Sequence, residues 1–330
     1  MKGTPARRAR KLRALGAGGA AAAGLLLALQ GCGARAPAPH PAASAGRSPA
    51  LRPAPGTGPA IRASGQRSLV AGGLRAVAGP GSPAAQDPLG AAAAIYIASR
   101  SGTVVAAVSD LGSGRTWSLG AQHPQAEASI VKLDILETLY AQQGSGAAVA
   151  PAADQALARQ MMENSDNSAA TSLWSAARGP AGIQSFNAAA GLTHTVPSSC
   201  VTCPGFAWPG WGLSTTTPAD QLTLLRQLVA PSRLLTSRQR RAALQFMENV
   251  TPSQRWGVTG GVPPQETVAV KDGWLPLDAA NTDWQVNSIG WVSGSGRDYL
   301  MAVLTTGNPT EQYGIDTING LSAIVWGHMG

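Results

Sequence analysis

The chain has 330 residues, 25 Lys and Arg against 17 Asp and Glu, and a formal net charge of +8. That balance suggests a basic protein made for nucleic acid or anionic lipid. The charge is unevenly spread, however: residues 1–90 hold twelve Lys/Arg and one acid, Asp87, whereas residues 91–330 hold thirteen Lys/Arg, 16 acids and all nine Trp. This excludes a basic globular domain and leaves a positive, aromatic-poor leader before a slightly acidic domain large enough for a substantial core.

The first 31 residues read as an export signal. Lys2, Arg7, Arg8, Arg10, Lys11 and Arg13 precede a short apolar run that ends in Leu25–Leu29, too short for a comfortable membrane span. Leu29–Gln30–Gly31–Cys32 resembles a bacterial lipobox, which implies that Cys32 carries lipid as the new N-terminus. The chain would then sit on the outer face of the cell membrane. Residues 32–90 are Ala, Pro, Gly and Ser with scattered Arg, a composition expected to form a disordered spacer. The folded domain is expected over 91–330. Cys200 and Cys203 remain after Cys32 is used. In an exported chain, a disulfide or free thiols are favoured over metal, because one CxxC with His194 supplies three ligands at best.

Within the domain, 91–99 predicts a short helix. Thr103–Asp110 and Arg115–Leu119 read as a hairpin about Gly112–Ser113–Gly114. Ser129–Gln142 has apolar residues at helical spacing and predicts a buried helix. Ala152–Glu163 and Ser168–Ala177 are expected as helices flanking a polar corner. Pro218–Val229 and Ser237–Glu248 are further helices. Thr267–Trp274, Trp284–Val292 and Asp298–Thr306 are strands, and Gly314–Trp326 is a closing helix. Strands at both ends with helices between predict an α+β fold. Its antiparallel sheet draws on both chain ends and is covered by helices, with an all-α subdomain inserted.

Three short motifs carry chemistry. Ser129 and Lys132 stand three apart at a helix start, so they share one face. The helix dipole favours negative charge near Ser129, and burial biases Lys132 towards its neutral, basic form. Ser165–Asp166–Asn167 fills the polar corner. There a hydroxyl can pass a proton, an amide can bind a carbonyl, and Asp166 is expected to cap the next helix. Lys271–Asp272–Gly273–Trp274 ends an apolar strand, where lysine supplies charge and glycine permits close backbone approach.

In this order the motifs resemble the penicillin-recognising serine hydrolases, and most closely the class A β-lactamase-like (β-lactamase/transpeptidase-like) fold. Thr215–Thr216–Thr217–Pro218 resembles the element that closes that family's omega loop. The resemblance spans roughly residues 90–328. It implies an acyl-enzyme on Ser129 with Lys132 as general base. Ser165 and Lys271 complete the catalytic network. The backbone N–H groups of Ser129 and Trp274 form the oxyanion hole, and Asn167, Asp272, Gly273 and Trp274 contact substrate. The implied substrates are β-lactam, peptide or ester carbonyls, including cell-wall peptide. No metal or organic cofactor, no nucleic acid and a monomeric state are expected.

Two departures qualify this. No Asp or Glu occurs from Ser168 to Ala219, so the omega loop lacks the glutamate that activates the deacylating water. Losing a general base costs about 10²–10⁴-fold, so slow deacylation is expected. Asp272 stands where the family has a hydroxyl, and a carboxylate there is expected to repel a substrate carboxylate. Only 36 residues separate Ser129 from Ser165, which predicts a reduced lid and a more open cleft. The alternative is a non-catalytic wall-binding or scaffold lipoprotein that keeps the fold. Asp134 and Glu137 are expected to be paired or at a helix edge, and Arg238, Arg240 and Arg241 to form a solvated helix face.

Overall fold

The computed structural model describes residues 86–144 and 151–329. The signal, Cys32 and the spacer up to residue 85 lie outside the described residues. In chain order the elements are α1 (Ala91–Ala98), β1 (Thr103–Asp110), β2 (Thr116–Leu119), β3 (Gln125–Ala126), α2 (Val131–Gln143), α3 (Ala152–Glu163), α4 (Asn167–Ala176), α5 (Gly179–Ala190), β4 (Thr215–Thr216), α6 (Pro218–Val229), α7 (Ser237–Glu248), β5 (Thr267–Pro276), β6 (Trp284–Gly294), β7 (Arg297–Asn308) and α8 (Glu311–His328). Leu89 is already buried, so the packed chain begins shortly before residue 91.

Five strands form one antiparallel sheet in the order β2-β1-β7-β6-β5. Strand residues alternate between faces, and here both faces are covered. Ala269, Ile289, Leu300, Ala302 and Leu304 join the helices α2–α7 in one core. Val268, Val270, Val286, Met301 and Val303 face Ile318, Leu321 and Val325 of α8 in a second. Strands β1 and β7 therefore read as continuous apolar runs.

The expected α+β architecture is what the chain adopts, and the caps follow simple chemistry. Asp166 accepts from the N–H of Ala169, Thr217 from Asp220, and Thr236 forms a capping box with Gln239; each satisfies an N–H left over at a helix start. Helix α5 has no counterpart among the expected elements. It begins Gly179–Pro180 and is rich in small residues, so its apolar period rests on little more than Ile183 and Phe186. The two-residue pairing of β3 with β4 was equally invisible, because a two-residue strand has no period.

Candidate active site

Ser129 sits in a single 3-10 turn, Ala128–Ile130, that runs into α2. Ala128 just before it has φ 51°, and Ser165 in the facing corner has φ 55°. Left-handed backbone at non-glycine residues costs about 1–3 kcal/mol and persists where the surroundings over-determine it. They do so here. The N–H of Glu127 donates to the Ser214 carbonyl at 2.7 Å. The Asn287 side chain donates to the carbonyls of Ala126 and Glu127 at 2.8 and 2.9 Å. Strand β5 presses on the same turn: a Cβ on Gly273 would lie 2.6 Å from the Ser129 nitrogen. Glycine is needed there to admit the serine's own turn, whereas the sequence suggested room for a substrate backbone.

Lys132 is fully buried. Its Nζ lies 2.9 Å from Ser129 Oγ, 2.6 Å from the Ser165 carbonyl, 3.0 Å from Ser165 Oγ and 2.8 Å from Asn167 Oδ1. Two of these partners, a carbonyl and an amide oxygen, can only accept. A neutral amine has two N–H bonds and one lone pair. It satisfies both acceptors and presents its lone pair to the hydroxyls. Burial holds the Lys132 pKa well below the usual lysine range, and the Lys271 charge lowers it further, against Asp166. The Trp211 ring lies 5.0 Å from Nζ and donates its indole N–H to Thr171.

Lys271 reaches the same corner from β5, with Nζ 3.0 Å from Ser165 Oγ and 2.8 Å from the Asp272 carbonyl. Burial pushes its pKa down to about 8, against the neighbouring Asp272. The structure thus brings Ser129, Lys132, Ser165, Asn167 and Lys271 into one hydrogen-bonded cluster.

The Asp272 side chain is not in that cluster. The next residue of a strand points to the opposite face, and the Asp272 side chain lies among the residues behind the sheet. It accepts from the Trp256 N–H at 3.2 Å and faces Ser288, its cross-strand partner. Burial raises its pKa. The expected substrate contact and carboxylate repulsion therefore do not hold at this position. Arg255 does not replace them, since it donates to the carbonyls of Glu248 and Val268.

Ser129, Asn167 and Trp274 line a slot of about 10 Å³, room for one water. Trp208 and Pro209 also line it. These residues belong to the omega loop, which Cys200 and Cys203 tie with a disulfide. A Cβ on Gly210 would run into Cys203 Sγ, so glycine lets the disulfide pack against the segment leading to Trp211. The loop's neck is held from α6 by Asp220, which accepts from the His194 N–H at 2.7 Å and Thr195 Oγ1 at 2.8 Å. Asp220 is the first acid after the acid-free stretch, and its return to the loop had no local signal. Among the described residues no His, Cys, Asp or Glu group is placed to hold a metal ion.

Glu127, Asp134 and Glu137 are fully buried. The Glu127 carboxylate turns to Gln221, 3.4 Å away. Neither oxygen of Glu137 has a hydrogen-bond partner, which corrects the expectation of pairing. Arg240 also departs from the expected solvated face: it donates to the carbonyls of Leu228 and Ala230, at and just beyond the end of α6.

Comparison with known proteins agrees with this fold. A family model described as the beta-lactamase enzyme family matches residues 154–329, a span that includes Ser165, Asn167 and Lys271 but begins after Ser129. The chain is 29% identical over 244 residues to "Putative lipoprotein LppW" of Mycobacterium tuberculosis, covering 70% of this chain and 74% of that protein. It is similar in fold to a class A β-lactamase from Mycobacterium abscessus, at 24% identity and TM-score 0.56, over 71% of this chain and 96% of that one. A β-lactamase from Desulfarculus baarsii gives 22% identity and TM-score 0.59, over 74% and 99%.

Proposed function

The chain belongs to the beta-lactamase enzyme family, and we propose that it is an extracytoplasmic serine hydrolase that forms an acyl-enzyme on Ser129. The observation that carries this is Lys132 Nζ, buried, 2.9 Å from Ser129 Oγ, with two acceptor-only partners that its neutral form satisfies. Lys132 takes the Ser129 proton as Oγ bonds to the carbonyl carbon. The backbone N–H groups of Ser129 and Trp274 receive the developing oxyanion. As the carbon–nitrogen or carbon–oxygen bond breaks, the proton passes from Lys132 to Ser165 Oγ, 3.0 Å away, and on to the leaving atom. Lys271 holds Ser165 and offsets negative charge. Asn167 orients Lys132 and substrate.

The omega loop offers no acid to activate a second water, so the acyl-enzyme on an amide, ester or β-lactam carbonyl is long-lived. Cys32 would carry the lipid that holds a monomeric enzyme at the membrane, in line with the lipoprotein name of its mycobacterial relative. The test is intact-mass analysis after incubation with a fluorescent penicillin and with activated esters. An adduct on Ser129 that persists for minutes and is lost in Ser129→Ala supports the reading. If the parent shows neither an adduct nor Ser129-dependent hydrolysis, the non-catalytic scaffold stands instead.

A further inference from the structure

From Arg178 to Met247 the sequence has six arginines and one acid, the buried Asp220. Two arginines serve the fold: Arg226 donates to Ser109 Oγ and Arg240 to the Ala230 carbonyl. The other four, Arg178, Arg233, Arg238 and Arg241, are exposed, and none of their side chains has an ion pair or hydrogen bond among the described residues. A merely solvated face usually interleaves both signs. Here one sign stands alone in a domain that is acidic as a whole.

Three of these arginines rim adjoining depressions. Arg178 stands beside a cavity of about 360 Å³ between α2 and α5, whose walls include Ala141, Phe186 and Leu234. A second cavity of about 370 Å³ shares Ala141 and Leu234 and carries Arg233. It runs to Thr236, and a third, holding Arg241 beside Leu228 and Leu244, starts at Ser237. Ala141 is in the last turn of α2, whereas Ser129 lies just ahead of its first. At 1.5 Å per residue, the step from Ser129 to Ala141 puts about 18 Å between the serine and this part of the groove.

Cations above an apolar floor fit an anionic amphiphile better than a soluble polyanion, which would leave the floor wet. We propose that this groove seats the domain on an anionic phospholipid surface, with headgroup phosphates on Arg178, Arg233 and Arg241. Ser129 then faces away from the membrane, at the far end of α2. The seat is peripheral, since no helix among the described residues is long and apolar enough to cross a membrane. The inference does not depend on what Ser129 does.

The test uses the full chain with Cys32→Ser, so that acylation does not mask weaker contacts, and keeps the N-terminal arginines in every variant. Partitioning is measured by co-sedimentation with vesicles of equal phosphatidylglycerol and phosphatidylcholine, and with phosphatidylcholine alone. The chain should bind only the first, and added salt should weaken binding. Each arginine near such a surface contributes about fivefold, so R178Q/R233Q/R241Q should lower partitioning at least about tenfold with an unchanged melting temperature. If the triple variant does not fold, R178Q and R233Q singly should each show about a fivefold loss. Equal partitioning of parent and variants would overturn the proposal and assign lipid binding to the tail. A loss confined to binding of soluble polyphosphate would also overturn it, in favour of a wall polymer.

Discussion

Helix α2 carries two polar clusters that behave in opposite ways. Around Lys132, the two acceptor-only oxygens are each matched by an N–H and the lone pair is left for a hydroxyl donor, and the cluster opens to the slot at Ser129. At Asp134 and Glu137, within one to two turns of Lys132, three carboxylate oxygens are buried without a partner, as is one of Glu127. Asn187 faces Asp134 but neither of its polar side-chain atoms reaches hydrogen-bond geometry. Low dielectric strengthens a satisfied network and penalises an incomplete one. The same burial therefore makes Lys132 a base and makes the three carboxyls acids that keep their protons. Their pKa values are raised, by desolvation first, and that of Asp134 reaches about 7.

The strongest way to break this contrast is to remove the base. Lys132→Met keeps the stem and deletes Nζ. Acylation of Ser129 by an activated ester should fall about 10²–10⁴-fold, read as the rate of adduct formation by mass. In the parent, that rate should rise with pH through a value below the ordinary lysine range, because burial lets Lys132 shed its proton early. Lys271 should still be largely protonated at neutral pH and lose its charge near pH 8, so the rate should level off or fall above it. A rate that climbs steadily to pH 10 would mean that Lys132 is an ordinary, solvated lysine.

The second effect is on stability and carries the opposite sign. A carboxyl whose folded pKa is raised favours the fold at low pH, and that contribution is lost as pH rises through the folded value. For Asp134 the window runs from its ordinary 3.8 to about 7. The parent should therefore melt higher at pH 5 than at pH 8. Asp134→Asn should remove part of that slope and raise the pH 8 melting temperature by about 2–6 °C, the shift expected for a buried polar mismatch of about 1–2 kcal/mol. An unchanged slope would show that water or a cation already satisfies Asp134.

The reach of sequence reasoning follows the same division. Helix and strand spans with strong periods were legible, as were motifs set by fixed spacing on one helix or at a strand end. Ser129, Lys132, Ser165, Asn167 and Lys271, each named from a motif, lie in one hydrogen-bonded cluster. What escaped depends on contacts between distant segments. Asp220 holds the omega loop from the next helix, and Asn287 braces the Ser129 turn from a strand about 160 residues later. The strained φ of Ala128 and Ser165 is also silent in sequence, because alanine and serine ordinarily avoid that region.

Asp272 gives the smallest effect and the sharpest separation of the two regions. Placed by sequence in the cleft, it was expected to repel a substrate carboxylate, so that Asp272→Thr would speed reaction with a penicillin. Placed by the structure behind β5, its carboxyl faces Trp256 and Ser288, away from the slot. Removing it should cost the Trp256 contact, about 1 kcal/mol and so about 2–4 °C in melting temperature. The acylation rates with a penicillin and with a neutral activated ester should both stay within about threefold of the parent, because that contact is worth no more than a single hydrogen bond and touches no reacting atom. A selective gain with the penicillin would put the carboxylate back in the cleft. An equal gain with both would show instead that Asp272 acts through Lys271, by altering its charge from behind the strand.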